Sequence, residues 1–69
     1  MKVIDINGKE RNVVGGSLRK IVHPVPDKIN GGFVDTDFIE MEIQGRFRTW
    51  QEWCSLDIFK KNNPEINYE

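Results

Sequence analysis

The sequence holds one cysteine, Cys54, and one histidine, His23. A lone cysteine closes no intrachain disulfide, and a short chain without such staples fits a reducing compartment, so a cytoplasmic location and a buried thiol are expected. A lone histidine excludes a histidine cluster, and Cys54 by itself cannot hold structural zinc, so no metal and no other cofactor is expected. A Cys54–His23 nucleophile pair has no supporting motif. The chain also lacks a phosphate-binding loop, a dinucleotide fingerprint and a serine-hydrolase elbow.

Long apolar runs are missing as well. The opening Met1-Lys2-Val3-Ile4-Asp5-Ile6 meets charge within two residues, and nothing approaches the roughly 18 apolar residues of a membrane span, so neither a signal peptide nor a membrane role is expected. Charge of one sign is absent too. Ten Lys and Arg stand against 11 Asp and Glu, a formal net charge of -1, which argues against general affinity for nucleic acid and leaves room only for a local basic patch. No repeat or low-complexity tract is present.

What is present is a 69-residue chain with 38% hydrophobic and 30% charged residues, the composition of an ordinary globular domain. Residues 1–69 read as one domain. At this size only about 60% of the unfolded chain's surface is buried on folding, so an active-site cavity is not expected and a homo-oligomer would relieve the small core. Glu40, Glu42 and Glu52 alternate on a strand rather than facing each other across a cleft, and the chain reads as a non-enzyme.

Turn residues divide the chain into short β segments. Lys2–Ile6 runs into Asn7-Gly8, a strong hairpin signal, with Lys9–Val14 as the returning strand. After Gly15-Gly16-Ser17, Leu18–His23 reads as a third strand ending at Pro24, and Pro24-Val25-Pro26 as an extended exit because neither proline can donate to a ladder. Asp27–Gly32 reads as a flexible connection. Phe38–Ile43 alternates cleanly, with Ile39, Met41 and Ile43 on one face. Ser55 is placed to cap a helical turn over Leu56–Lys61 that Asn62-Asn63-Pro64 stops, and Glu65–Glu69 is a frayed tail or a closing strand. About five short strands and one helical turn predict a mainly β fold, a small five-stranded SH3-like barrel.

The densest segment is Gly45-Arg46-Phe47-Arg48-Thr49-Trp50-Gln51-Glu52-Trp53, which carries both tryptophans. A three-residue loop at Ile43-Gln44-Gly45 would set Glu42 against Arg46, Glu40 against Arg48 and Phe38 against Trp50. In that register Phe47 and Trp53 face the core while Trp50 shares an exposed face with Phe38, Arg46 and Arg48. Those four residues, with Lys20 from a second basic segment, are the candidate binding residues. Exposed Trp and Arg are characteristic of interface hot spots and stacking platforms.

The segment from Gly45 to Trp53, followed by Leu56 and Phe59-Lys60-Lys61-Asn62-Asn63-Pro64, resembles small uncharacterised proteins carried by phages and other mobile elements of Gram-positive bacteria. The Asn7-Gly8 hairpin and His23-Pro24-Val25-Pro26 are similar to the same group. The resemblance implies an accessory protein that binds a host or phage protein. Two functions are therefore expected: a protein-binding module, or a nucleic-acid or signalling-nucleotide binder using Arg46, Arg48, Lys20 and Trp50.

Overall fold

The Asn7-Gly8 turn joins β1 (Lys2–Ile4) to β2 (Glu10–Asn12) as an antiparallel pair. Gly8 donates to the Asp5 carbonyl at 3.0 Å and sits at φ +78°, a left-handed position that suits glycine at the end of a three-residue loop. The Asp5 carboxylate completes the turn by accepting the N–H groups of Asn7 and Lys9, each at 2.9 Å. The computed structural model describes residues 1–68.

The spine of the fold is β4 (Phe33–Gln44), which pairs antiparallel with β3 (Arg19–Pro26) on one edge and β5 (Thr49–Ser55) on the other. Its upper end also takes the continuation of β2, through a bridge of Val13 to Ile43 and a Val14 N–H bond to the Glu42 carbonyl. Between this contact and the start of β3 the chain leaves the edge, and the Ser17 hydroxyl fills the gap: it accepts the Glu42 N–H at 3.2 Å and donates to the Val14 carbonyl at 2.7 Å. Glu42 thus presents its backbone groups to the β3 side. Alternation then gives the same orientation to Glu40 and Phe38, so in β3 the residues Arg19, Ile21, His23 and Val25 bond inward. Lys20, Val22, Pro24 and Pro26 turn their backbone outward. This is why β3 runs through both prolines instead of ending at Pro24: their missing N–H groups would have faced solvent.

The Asp27–Gly32 connection is a tight hairpin loop. Its end residues bond through Asp27 N–H to the Gly32 carbonyl, and the Asp27 carboxylate accepts the N–H groups of Ile29 and Asn30, which holds its pKa below the usual carboxylate value. Only Phe38–Glu40 have strand partners on both sides, so the distal halves of β3 and β4 project as a two-stranded arm with Val22, Phe33 and Val34 exposed.

The core lies on one face of the sheet. Ile39, Met41 and Ile43 of β4 and Cys54 of β5 meet Val3 and Val13 from the first hairpin and Leu56 and Phe59 from α1 (Leu56–Asn62). Ser55 precedes the helix without a side-chain cap bond, and Lys60 and Lys61 occupy its last turn. The Cys54 thiol is buried as expected, and desolvation pushes its pKa up. Asn63 follows the helix and is itself buried, with its amide clamping β1: Oδ1 accepts the Ile4 N–H and Nδ2 donates to the Ile4 carbonyl, both at 2.7 Å. Asn62 adds a bond to the Asp5 carbonyl.

The fold is mainly β, with two small antiparallel sheets and a short C-terminal helix. The described strands do not close into the expected barrel. Among the described residues the first hairpin meets the larger sheet through the single bridge Val13–Ile43 and the adjoining Val14–Glu42 backbone bond, and no closing strand forms over residues 65–68, where Ile66 and Tyr68 pack against the core instead. Glu69, the last residue of the expected closing strand, lies outside the described residues.

Arg11 ties the first hairpin to β5. Its guanidinium contacts Asp5 Oδ2 at 3.1 Å and Glu52 Oε2 at 2.8 Å. Asp5 is held below its ordinary pKa chiefly by the Lys9 N–H and further by Arg11, and Glu52 is held low by the Trp50 indole N–H and by Arg11. Both carboxyls bind protons less readily folded than unfolded, so their stabilisation is complete above the unfolded pKa, about 4, and is lost as pH falls through the lower folded values. The urea midpoint is expected to drop between pH 5 and pH 2.5, with a shallower drop in Arg11→Met; equal slopes would remove Arg11 from the account.

Candidate functional site

The β4–β5 hairpin turns at Arg46-Phe47, between Gly45 and Arg48, and not at Ile43-Gln44-Gly45. Gly45 N–H donates to the Arg48 carbonyl at 2.8 Å, and Glu42 faces Gln51, Glu40 faces Trp53 and Phe38 faces Ser55. The register expected from charge pairing is therefore corrected. Surface Glu–Arg pairs contribute only a few tenths to 1 kcal/mol each. Seating Cys54 opposite Ile39, so that Leu56 and Phe59 follow into the core, removes far more apolar surface from water.

The correction redistributes the candidate residues. Phe47 is 91% exposed at the tip and Trp53 is 46% exposed, so neither joins the core. Trp50 stands opposite Ile43 on the inner face, 37% exposed, and Phe38 lies on the outer face, so the two do not share a surface. Arg46 lies over the Phe47 ring and Arg48 over the Trp50 ring, at 5.5 and 5.8 Å from the ring centroids. Neither arginine has a carboxylate within salt-bridge distance among the described residues, so the pairs with Glu42 and Glu40 are absent. Lys20 stands opposite Ile39 and 3.9 Å from Asp37, roughly 20 Å along β4 from the tip at a strand rise of about 3.3 Å per residue.

What the fold does assemble is an aromatic cluster on the outer face. His23 lies 4.9 Å from Trp53 and 6.5 Å from Phe38, and Phe38 lies 5.7 Å from Trp53, all between ring centroids. Three strands contribute one ring each, and Ile21, on the same face, sits opposite Phe38. Beside the rings Glu40 is buried yet satisfied: Oε1 accepts Arg19 Nε at 2.9 Å and Nη2 at 2.5 Å, and Oε2 accepts the Trp53 indole at 3.0 Å. Next to this pair is a shallow hollow of about 260 Å³ whose lining includes Gly16, Ser17, Arg19, Glu40, Glu42 and Gln51. Glu42 has no cationic partner among the described residues.

Trp53 and His23 were not among the sequence candidates. The signal existed in the Asp27–Gly32 loop: treated as a hairpin with those residues paired, it sets Ile21 against Phe38 and His23 two positions away on the same face. Among the described residues no group of three His, Cys, Asp or Glu side chains is placed to hold a metal, and no helix is long and apolar enough to cross a membrane. Comparison with protein-family models, curated proteins and solved structures finds no match.

Proposed function

We propose that this chain is a small non-enzymatic binding module that takes an extended, apolar and basic segment of a protein partner on the outer face of its three-stranded sheet. The observation that carries this reading is the His23–Phe38–Trp53 cluster next to the hollow lined by Glu42, whose carboxylate has no cationic partner among the described residues. The rings offer a stacking surface, and Glu42 with the hollow beside it favours a cation. The same carboxylates disfavour phosphate on this face. In this reading the fold is an SH3-like arrangement left open, used as such domains use an aromatic groove with acidic flanks. A phage-type accessory role, binding a host or phage protein in the cytoplasm, is consistent with it.

The test is a panel of arginine-containing proline-rich decapeptides, titrated by calorimetry against the same peptides with glutamate in place of arginine. Trp53→Ala, measured at a temperature where it remains folded because it also loses the Glu40 bond, is expected to weaken binding of the basic peptides at least tenfold, and Glu42→Lys to reverse the charge preference. Equal binding of both sets, or binding untouched by Trp53→Ala, overturns the assignment.

A second reading rests on the tip. Among the described residues Arg46 and Arg48 have no carboxylate partners, and they stack on Phe47 and Trp50, which suits phosphate and base contacts of a nucleic acid or signalling nucleotide. It requires salt-sensitive oligonucleotide retention that disappears in the Arg46→Ala/Arg48→Ala double variant.

A further inference from the structure

The two edges of the larger sheet are built differently. On β3 the outward backbone positions are Lys20, Val22, Pro24 and Pro26, and prolines and a lysine are the residues with which sheets block strand addition. On β5 the outward positions follow from those of β4. Glu42 gives its backbone groups to Val14 and Ser17, so its neighbour Gln51 turns its own N–H and C=O away from β4, and Thr49 and Trp53 do the same. No backbone partner for these three outward pairs of groups exists among the described residues. The edge carries no proline, lysine or glycine, and its outer-face side chains, Thr49, Gln51, Trp53 and Ser55, are all uncharged.

We propose that β5 is a dimerisation edge, pairing antiparallel with β5 of a second copy about a two-fold axis at Gln51 to form a continuous six-stranded sheet. This edge adjoins the peptide-binding face, with Trp53 and Gln51 common to both, but its pairing runs through the backbone and does not depend on that function. Charge selects a second copy and this register. With the axis at Gln51, Thr49 pairs with Trp53 of the other copy, and each such outward pair exchanges two N–H···O bonds. Trp50 then faces Glu52 of the second copy, and the two Glu52 carboxylates, each held by Arg11 of its own chain, are diagonal neighbours and not directly opposed, as they would be with the axis one residue further on. Arg48, which has no carboxylate partner among the described residues, becomes the diagonal neighbour of the second copy's Glu52, within reach of a long side chain. The contact is isologous and closes on itself, so it ends at a dimer.

The axis makes a sharp test possible. A residue on the two-fold in a hydrogen-bonded pair lies about 5.5 Å, Cα to Cα, from its symmetry mate, within disulfide range, whereas Thr49 and Ser55 lie well beyond it from theirs. Gln51→Cys is expected to form a covalent dimer with oxidised glutathione at protein concentrations where Thr49→Cys, Ser55→Cys and the wild type, with its buried Cys54, do not. Light scattering of the wild type at about 100 μM should give twice the 8.1 kDa chain mass. Thr49→Pro, which removes an outward N–H at the first residue of the strand, should keep the far-ultraviolet spectrum and raise the dimer dissociation constant at least tenfold. A monomer at that concentration, which would leave the edge to some other extended segment, overturns the proposal, as does cross-linking that is equal at all three positions or strongest away from Gln51.

Discussion

Replacing Asn63 with alanine is expected to cost about 2 kcal/mol or more, because the half-buried N–H and C=O of Ile4 each lose a partner and an unsatisfied buried group costs about 1–3 kcal/mol. Small domains have total stabilities near the low end of about 5–15 kcal/mol, so this single amide decides whether the first hairpin stays docked. Its geometry imitates a strand: one side chain offers an acceptor and a donor to the same residue of β1, and Nδ2 also reaches the Phe59 carbonyl at 3.2 Å. Asn63→Asp is the sharper variant. A carboxylate still accepts the Ile4 N–H but presents negative charge to two carbonyls, so the aspartate pKa should rise on folding. The folded state then binds the proton more tightly than the unfolded chain. The variant should be most stable below the unfolded pKa of about 4 and lose stability as pH rises through its elevated folded value, opposite to the trend set by Asp5 and Glu52. Urea unfolding of wild type, Asn63→Ala and Asn63→Asp at pH 7 and pH 4 checks this. An Asn63→Asp protein as stable as wild type at pH 7 would show that the amide does not hold β1.

Much of the local structure was legible because local chemistry dictated it. Asn7-Gly8, Leu56 and Phe59 three apart ahead of Asn62-Asn63-Pro64, and the alternation of Ile39, Met41 and Ile43 each point to the structure they form, whereas the cap expected of Ser55 makes no side-chain bond. What was not legible depended on long-range partners. Glu40 looked like the mate of Arg48, yet it is shared by Arg19 of β3 and Trp53 of β5, and neither partner is visible until both registers are known. Asn63 read as a helix stop, which it is, but its second role depends on a strand 59 residues away in sequence. Of the candidate binding residues, only Phe38 belongs to the aromatic cluster. The β4–β5 register moved Trp50, Arg46 and Arg48, because a pattern of alternating charge offers several pairings of nearly equal energy and burial alone separates them, while Lys20 lies apart in β3 opposite Ile39.

That separation can be measured at Gly45, where the hairpin is fixed by close packing rather than by charge. A Cβ at this position would collide with Cζ3 of Trp50 and lie 2.9 Å from the Arg48 carbonyl oxygen. Neither neighbour can withdraw freely. The carbonyl accepts the Gly45 N–H that closes the turn, and the indole is held by its 2.6 Å bond to Glu52 and by the Arg48 guanidinium over its ring. Gly45→Ala is therefore expected to cost about 2 kcal/mol, in the range of overpacking, although its φ is not in the left-handed region. Trp50→Ala should cost about 1–2 kcal/mol from lost packing and the lost Glu52 bond. In the double variant the collision with the indole is gone and only the carbonyl contact remains, so the two losses should fall short of additive by about 1 kcal/mol. Additive losses would mean that the indole does not press on the turn. The same Trp50→Ala protein, kept cold enough to stay folded, should still bind the basic peptides as wild type does, because its ring lies on the opposite side of the sheet from His23, Phe38 and Trp53. Of the two tryptophans, Trp50 then sets the register of the hairpin and Trp53 is left to meet the partner.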